Sequence, residues 1–381
     1  MLRRSAMVLA SAAALAAPAA FAQTGPREMT WTAYDTGSSG FNIAVAIGQA
    51  FKTGVGVDVR ILPAGNDVAR LSPLRAGRAV ASAMGIGTYF AQEGVLEFGV
   101  KAWGPQPMRL LMTTSSCNGI TLAAAKDAGI REVKDIRGKR VGVVVGSPAL
   151  TQGALGLIAF GGLTEKDVKL VEFSSNNAMW KGMVNNEVDV ALSSTISGQS
   201  REMDASPRGV VWPPFPAADK EGWARIHKRA PYFVPVQATC GAGGLSKDKP
   251  VGTAGYAYPI FMSYASAPTD AVQTMVRGFI EQYDTYKNAA PGADGMALDR
   301  QVFTWVVPYH DGAIAAFKAK GVWNDAAQKH NDALLARQKV LADAWKAFTA
   351  SAPADDKEFS AAWTKARAAA LRARNMDVIF E

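Results

Sequence analysis

From Met29 onward the chain alternates short apolar runs, glycine-marked turns and amphipathic stretches. That alternation is the pattern of parallel strands joined by crossover helices, and it predicts an α/β fold. Strands are expected at residues 29–35, 55–62 and 79–84, with helices at 41–51 and 68–75; in the second helix Val68, Leu71 and Leu74 share one face. The same grammar restarts after the apolar run 108–114. Residues 140–145 form a continuous valine-rich run of the kind buried on both faces of a parallel sheet. Helices at 149–160 and 176–185 and strands at 167–173 and 188–192 complete the second series. A restart in a chain of 381 residues predicts two lobes, because single cores stop growing near ~250–300 residues.

A proline-rich passage at 212–216 interrupts regular structure, a helix is expected at 219–229, and the aromatic run 256–264 is expected to return the chain to the first lobe. Helical sequence follows from 270 almost to the end. The expected division is therefore a leader at 1–22, a first lobe of 23–117 and 258–381 with a C-terminal helical extension, and a second lobe of 118–257. Leu334, Leu341, Trp345, Phe348, Phe359 and Trp363 fall at helical spacing and read as core. Lys365, Arg367, Arg372 and Arg374 read as a solvated basic face that suits a helix C-terminus, not as a nucleic-acid site.

Residues 1–22 have the basic, apolar and small-residue parts of a cleaved secretory signal, ending in Ala20-Phe21-Ala22. The alternative, a membrane-anchoring helix, suffers from an apolar part that is short against the ~20 residues a span needs. Arg3-Arg4 alone is weak evidence for twin-arginine export. The product is expected to be an exported, soluble, periplasmic protein.

Histidine and cysteine usage then removes several chemistries. His227, His310 and His330 are the only histidines, and no two stand at the spacing of a helical zinc motif. Cys117 and Cys240 cannot form a CxxC pair. In an oxidising compartment they either form a disulfide or remain two buried small hydrophobes. No GxxxxGK[ST], GxGxxG or GxSxG motif occurs, so neither a phosphate cofactor nor a serine nucleophile is indicated. His310, within Pro308-Tyr309-His310-Asp311-Gly312, reads as structural. No metal, cofactor or catalytic residue is expected, and the formal charge of +8 suits an anionic ligand without identifying one.

Each lobe opens with a strand, a glycine-containing turn and a helix. The turns are Gly37-Ser38-Ser39-Gly40 and Gly146-Ser147-Pro148, where glycine lets backbone approach a ligand and the helix start offers unpaired N–H groups to an anion. The competing reading is that both turns only cap their helices, with Ser147 as cap and Pro148 at the first helical position. On the ligand reading, the first lobe contributes Gly37, Ser38, Ser39, Gly40 and Phe41, the Asn66 amide, and a wall of Met84, Gly85 and Tyr89. The second contributes Ser147, Ala149 and Thr151, with Asn176, Ser193 and Thr195 at neighbouring strand ends, where open α/β sheets place ligands. Trp180 reads as packed. Arg70 is set aside, because Asp67 lies three residues earlier on the same helix face and can pair with it.

The order of these elements resembles the TAXI family, the solute-binding subunits of one branch of tripartite ATP-independent periplasmic (TRAP) transporters. The likeness is carried by Thr36-Gly37-Ser38-Ser39-Gly40-Phe41, Ala64-Gly65-Asn66-Asp67, Ile136-Arg137-Gly138-Lys139-Arg140-Val141, Gly146-Ser147-Pro148, Asn186-Glu187-Val188-Asp189-Val190, Ala230-Pro231-Tyr232-Phe233-Val234 and His310-Asp311-Gly312-Ala313. It departs at Pro148, Asn66 and Asp311, and it stops near Trp323. The resemblance implies a type II-like, two-lobed periplasmic binding protein fold. It further implies a monomer that clamps a small anionic organic ligand, such as an organic acid or acidic amino acid, and delivers it to integral membrane TRAP subunits. A ligand-presenting sensory protein and, in another class, an exported enzyme on the same scaffold remain alternatives.

The exported chain is expected to begin at Gln23, after cleavage behind Ala22. N-terminal sequencing of periplasmic material checks this, and an intact Met1 would contradict it.

Overall fold

The computed structural model describes residues 27–381, so the leader expected at 1–22 lies outside the described residues. The first half of lobe I runs β1 (Glu28–Ala33), α1 (Ser39–Gly54), β2 (Asp58–Pro63), α2 (Asp67–Arg75), β3 (Ala81–Met84), α3 (Gly87–Glu93) and β4 (Met108–Met112). The chain then crosses into lobe II. There it forms β5 (Ile120–Ala125), β6 (Arg140–Val144), α4 (Pro148–Ile158), β7 (Lys169–Phe173), α5 (Asn176–Val184), β8 (Val190–Ser194), α6 (Gly198–Ala205), β9 (Val210–Val211), α7 (Lys220–His227) and a hairpin of β10 (Val234–Ala238) and β11 (Val251–Gly255). It returns to lobe I as β12 (Ile260–Tyr264) and ends in α8 (Thr269–Glu281), α9 (Tyr283–Tyr286), α10 (Asp311–Ala319), α11 (Asp325–Thr349) and α12 (Asp356–Arg372).

The two five-stranded sheets share one plan. Sheet order is β2-β1-β3-β12-β4 in lobe I and β7-β6-β8-β5-β9 in lobe II. In each, the first three strands are parallel, and β12 or β5 runs antiparallel between its neighbours. The antiparallel strand in each sheet is the one that immediately follows a crossing: two chain segments, 113–119 and 256–259, link the lobes. This is the two-lobed α/β architecture, with each sheet mixed and mainly parallel.

Packing of lobe I centres on Trp31 of β1, which is fully buried. Its ring meets Phe51 of α1, Phe261 of β12 and Phe279 of α8 edge-on at 5.4, 5.7 and 5.6 Å, so one side chain ties the sheet to helices drawn from both halves of the sequence. In lobe II the valine-rich strand β6 is flanked by β7 and β8, and Gly142 lets α5 lie close: a Cβ there would come within 2.8 Å of Met179 Cγ.

Several expectations need correction. Helix does not run unbroken from 270: residues 287–310 are irregular apart from short 3₁₀ turns, because Pro291-Gly292, Gly295 and Pro308 interrupt it. Helices α3 and α6 and strand β5 were not legible as separate elements. Within the C-terminal extension Trp345 and Trp363 pack edge to face at 4.7 Å, as core residues should. Arg367, however, is not on a solvated face. It lies four residues after Trp363 and four before Leu371, on the buried side of α12, and pairs with the fully buried Glu93 of α3. Arg337 of α11 grips the same carboxylate through two 2.7 Å bonds. Burial alone would raise the Glu93 carboxyl, but the Arg337 hydrogen bonds and the Arg367 charge outweigh it and hold the group below its ordinary range. The extension is thus pinned to lobe I by a buried charge cluster. Lys365, Arg372 and Arg374 are exposed.

Cys117, in the first crossing, and Cys240, in the β10–β11 connection, form a disulfide with Cα atoms 5.6 Å apart. Thr239 N–H donates to Cys117 O beside it at 2.9 Å. The bond closes a sequence separation of 123 residues. Reduction is therefore expected to remove about 4–5 kcal/mol on the chain-entropy account. Thermal melts with and without reductant, beside free-thiol titration of the unfolded protein, check this.

Candidate ligand site between the lobes

Strand ends and helix starts of both sheets converge on one interlobe cavity of about 50 Å³, lined by Tyr34, Ser38, Ser39, Arg70 and Gly85 of lobe I, by Ile120, Ala149, Leu150, Asn176, Trp180, Leu192, Ser193, Ser194, Ser197 and Gln199 of lobe II, and by Tyr256 and Tyr258 of the return crossing. That is room for a few waters. The lining combines hydroxyls and amides with an apolar wall from Trp180, Leu192, Leu150 and Ile120.

The first turn folds as its sequence suggests. Gly37 takes φ +89°, which a side chain would resist, and Ser38 accepts the Phe41 N–H at 3.2 Å as the α1 cap. Ser38 and Ser39 also line the cavity. Gly40 is not among the residues lining this cavity; it admits the Tyr258 hydroxyl, which a Cβ there would meet at 3.3 Å. Phe41 is half-buried against the core.

The second turn behaves differently. Gly146 takes φ +74°, but Ser147 makes no side-chain cap. Its ψ of 78° departs from the extended cap conformation, and its hydroxyl meets Tyr34 OH at 2.5 Å. Tyr34 also donates to Asp67 Oδ1 at 3.1 Å. The other Asp67 oxygen accepts the Ala149 N–H at 2.8 Å. The start of α4, expected to hold a ligand anion, thus holds a carboxylate from the opposite lobe. Ala149 still lines the cavity, whereas Ser147 and Thr151 do not.

Other expected residues lie elsewhere for identifiable reasons. Asn66 caps α2 by accepting the Ala69 N–H at 2.8 Å. Met84 is buried within β3. Tyr89 packs beneath the C-terminal tail against Phe90 and Phe380. Thr195 bonds Cys240 O at 2.9 Å and is fully buried. Gly85, Asn176 and Ser193 line the cavity.

Arg70 is set aside on sequence as a partner for Asp67. It pairs with Asp67, both side chains being fully buried, and it lines the cavity. Its Nη1 donates to Ala83 O at 3.1 Å, its guanidinium lies 3.5 Å from the Tyr34 ring centroid, and its Nε has no hydrogen-bond partner. Tyr34, Tyr256 and Tyr258 were not singled out from sequence. Their only sequence signal is position, Tyr34 at a strand end and the other two in the return crossing. Burial raises all three phenols, so they stay protonated at neutral pH and can donate. The histidines stand apart from the cavity. His310 caps α10, accepting the Gly312 N–H on Nδ1 at 3.1 Å, with Nε2 3.2 Å from Ala267 O, and burial lowers its pKa. Among the described residues no group of three or more His, Cys, Asp or Glu could hold a metal, and no helix is long and apolar enough to cross a membrane.

Two sheets of this strand order, linked by two crossings around a shared cavity, define the periplasmic binding protein fold. The chain belongs to the NMT1-like family, whose model matches residues 32–321. Among solved structures it is similar to the alkanesulfonate-binding protein SsuA from Xanthomonas axonopodis pv. citri bound to MOPS, at 16% identity over 79% of this chain and 96% of that one, with a TM-score of 0.42. It is likewise similar to the periplasmic aliphatic sulphonate binding protein SsuA from Escherichia coli (14% identity, 92% and 89%, TM-score 0.42) and to an ancestral arginine-binding protein bound to glutamine (14%, 69% and 96%, 0.40). No curated protein matches the chain.

Because Ser147 and Tyr34 share one hydrogen bond, Ser147→Ala and Tyr34→Phe are each expected to cost ~1–2 kcal/mol of stability and, combined, less than the sum. A double-mutant cycle by urea denaturation measures the coupling.

Proposed function

We propose that this protein is a periplasmic solute-binding protein that captures a small carboxylate, an organic acid or acidic amino acid, between its lobes and delivers it to membrane transport subunits. The observation that carries the reading is the cavity itself: it is lined from both lobes and from Tyr256 and Tyr258 of the return crossing, and its lining joins Arg70, whose Nε is unpartnered, to hydroxyls and amides. A buried donor without a partner is costly, and a carboxylate oxygen would satisfy it. Trp180 and Leu192 would receive a short apolar body. The resemblance to the TAXI family favours TRAP-type subunits as the recipients, with the protein acting as a monomer.

Mass spectrometry of material that co-purifies, followed by calorimetric titration with short mono- and dicarboxylates, tests the reading. One site per chain is expected. Asn176→Ala is expected to weaken affinity by roughly 10- to 150-fold if its amide reaches the carboxylate, at nearly unchanged melting temperature. Saturable binding of a neutral sugar, with no response to any carboxylate, would refute the ligand class.

A further inference from the structure

The lobes are joined directly by hydrogen bonds between their own groups. Lobe II presents three helix N-termini to lobe I, and each is already answered. Gly198 N–H at the start of α6 donates to Gly37 O at 2.9 Å, and Asn176 N–H of α5 donates to Gly65 O at 3.1 Å. The other two bonds go to carboxylates: Asn177 N–H of α5 to Asp35 Oδ2 and Ala149 N–H of α4 to Asp67 Oδ2, both at 2.8 Å. Helix starts favour anions, and these anions come from the protein's own opposite lobe. Asp67 is fully buried there with Arg70 as its counter-charge, an arrangement whose separation on opening would expose the pair to water and return the α4 amide to solvent.

We infer that Asp35 and Asp67 are built-in anionic latches that hold the lobes closed in the absence of solute. The inference rests on the solute-binding reading and deepens it. A ligand that enters the cavity then adds its contacts to a closure already favoured, so its differential affinity for the closed form need not supply the whole free energy of closing. A second consequence concerns recognition. With the Ala149 amide occupied by Asp67, a bound anion is left with Arg70 Nε, the serine and tyrosine hydroxyls and the Asn176 side-chain amide and does not use the start of α4.

The test uses the full mature chain without any solute. Dyes carried on unnatural amino acids at the exposed positions Lys52 and Lys169, one per lobe, leave the disulfide intact and report the lobe separation by single-molecule energy transfer. The free wild-type protein is expected to populate the closed form predominantly. Asp35→Ala is expected to lower the closed-to-open ratio roughly 10-fold, and Asp67→Asn at least as much. Where Asp67→Asn fails to fold, because Arg70 has lost its counter-charge, the half-buried loop residue Asp35 decides alone. An open wild-type protein, or a closed one unmoved by Asp35→Ala, overturns the latch. The two readings fail separately: a free protein that is open yet binds a carboxylate removes only the latch, and a latched protein that binds no carboxylate removes only the ligand class.

Discussion

One buried carboxylate joins most of what matters in this molecule. Asp67 opens α2, pairs with Arg70 one turn later, accepts from Tyr34 at the end of β1 and receives the first free amide of α4 from the other lobe. Each partner comes from a different element, and all are buried. A charge in that position is tolerated only because both oxygens find donors, so the elements that deliver the donors are fixed relative to one another. The cavity is the space left beside this cluster.

The rest of the scaffold reads as support for that meeting point. Trp31 and its ring partners hold β1 and α1, and so the turn between them, against helices from the far end of the chain. The disulfide fastens the first crossing to the hairpin that precedes the second. Glu93 with Arg337 and Arg367 fastens the C-terminal helices, which extend past the family match, onto α3. Tyr256 and Tyr258, in the return crossing, are the cavity residues that belong to the linkage between lobes, which is where a wall must sit if it is to sense their separation.

The contrast between the two turns shows why one reading of similar sequences cannot serve both. Gly37-Ser38-Ser39-Gly40 caps its helix and lines the cavity, because Ser38 lies extended before α1. Gly146-Ser147-Pro148 has the same types of residue, but Pro148 begins the helix and Ser147 turns towards Tyr34. A hydroxyl follows the nearest strong partner, and Tyr34 lies 113 residues away in the chain.

What the sequence by itself determined was local. Apolar periodicity, glycine at positive φ in the two turns and the restart after 108–114 specified the strands and helices of two α/β lobes, because those signals act within a few residues. Ser38, Ser39, Gly85, Ala149, Asn176 and Ser193 were legible as cavity residues because strand ends and helix starts define where such sheets gather their ligands. Only the tertiary structure decided that Asn66 would be spent on a cap, that Tyr89 would lie under the tail, that Arg367 would be buried on Glu93, and that Asp67 would take the start of α4. Those outcomes depend on which donor meets which acceptor across distances that no periodicity encodes. Desolvation makes each of them too costly to leave unpaired.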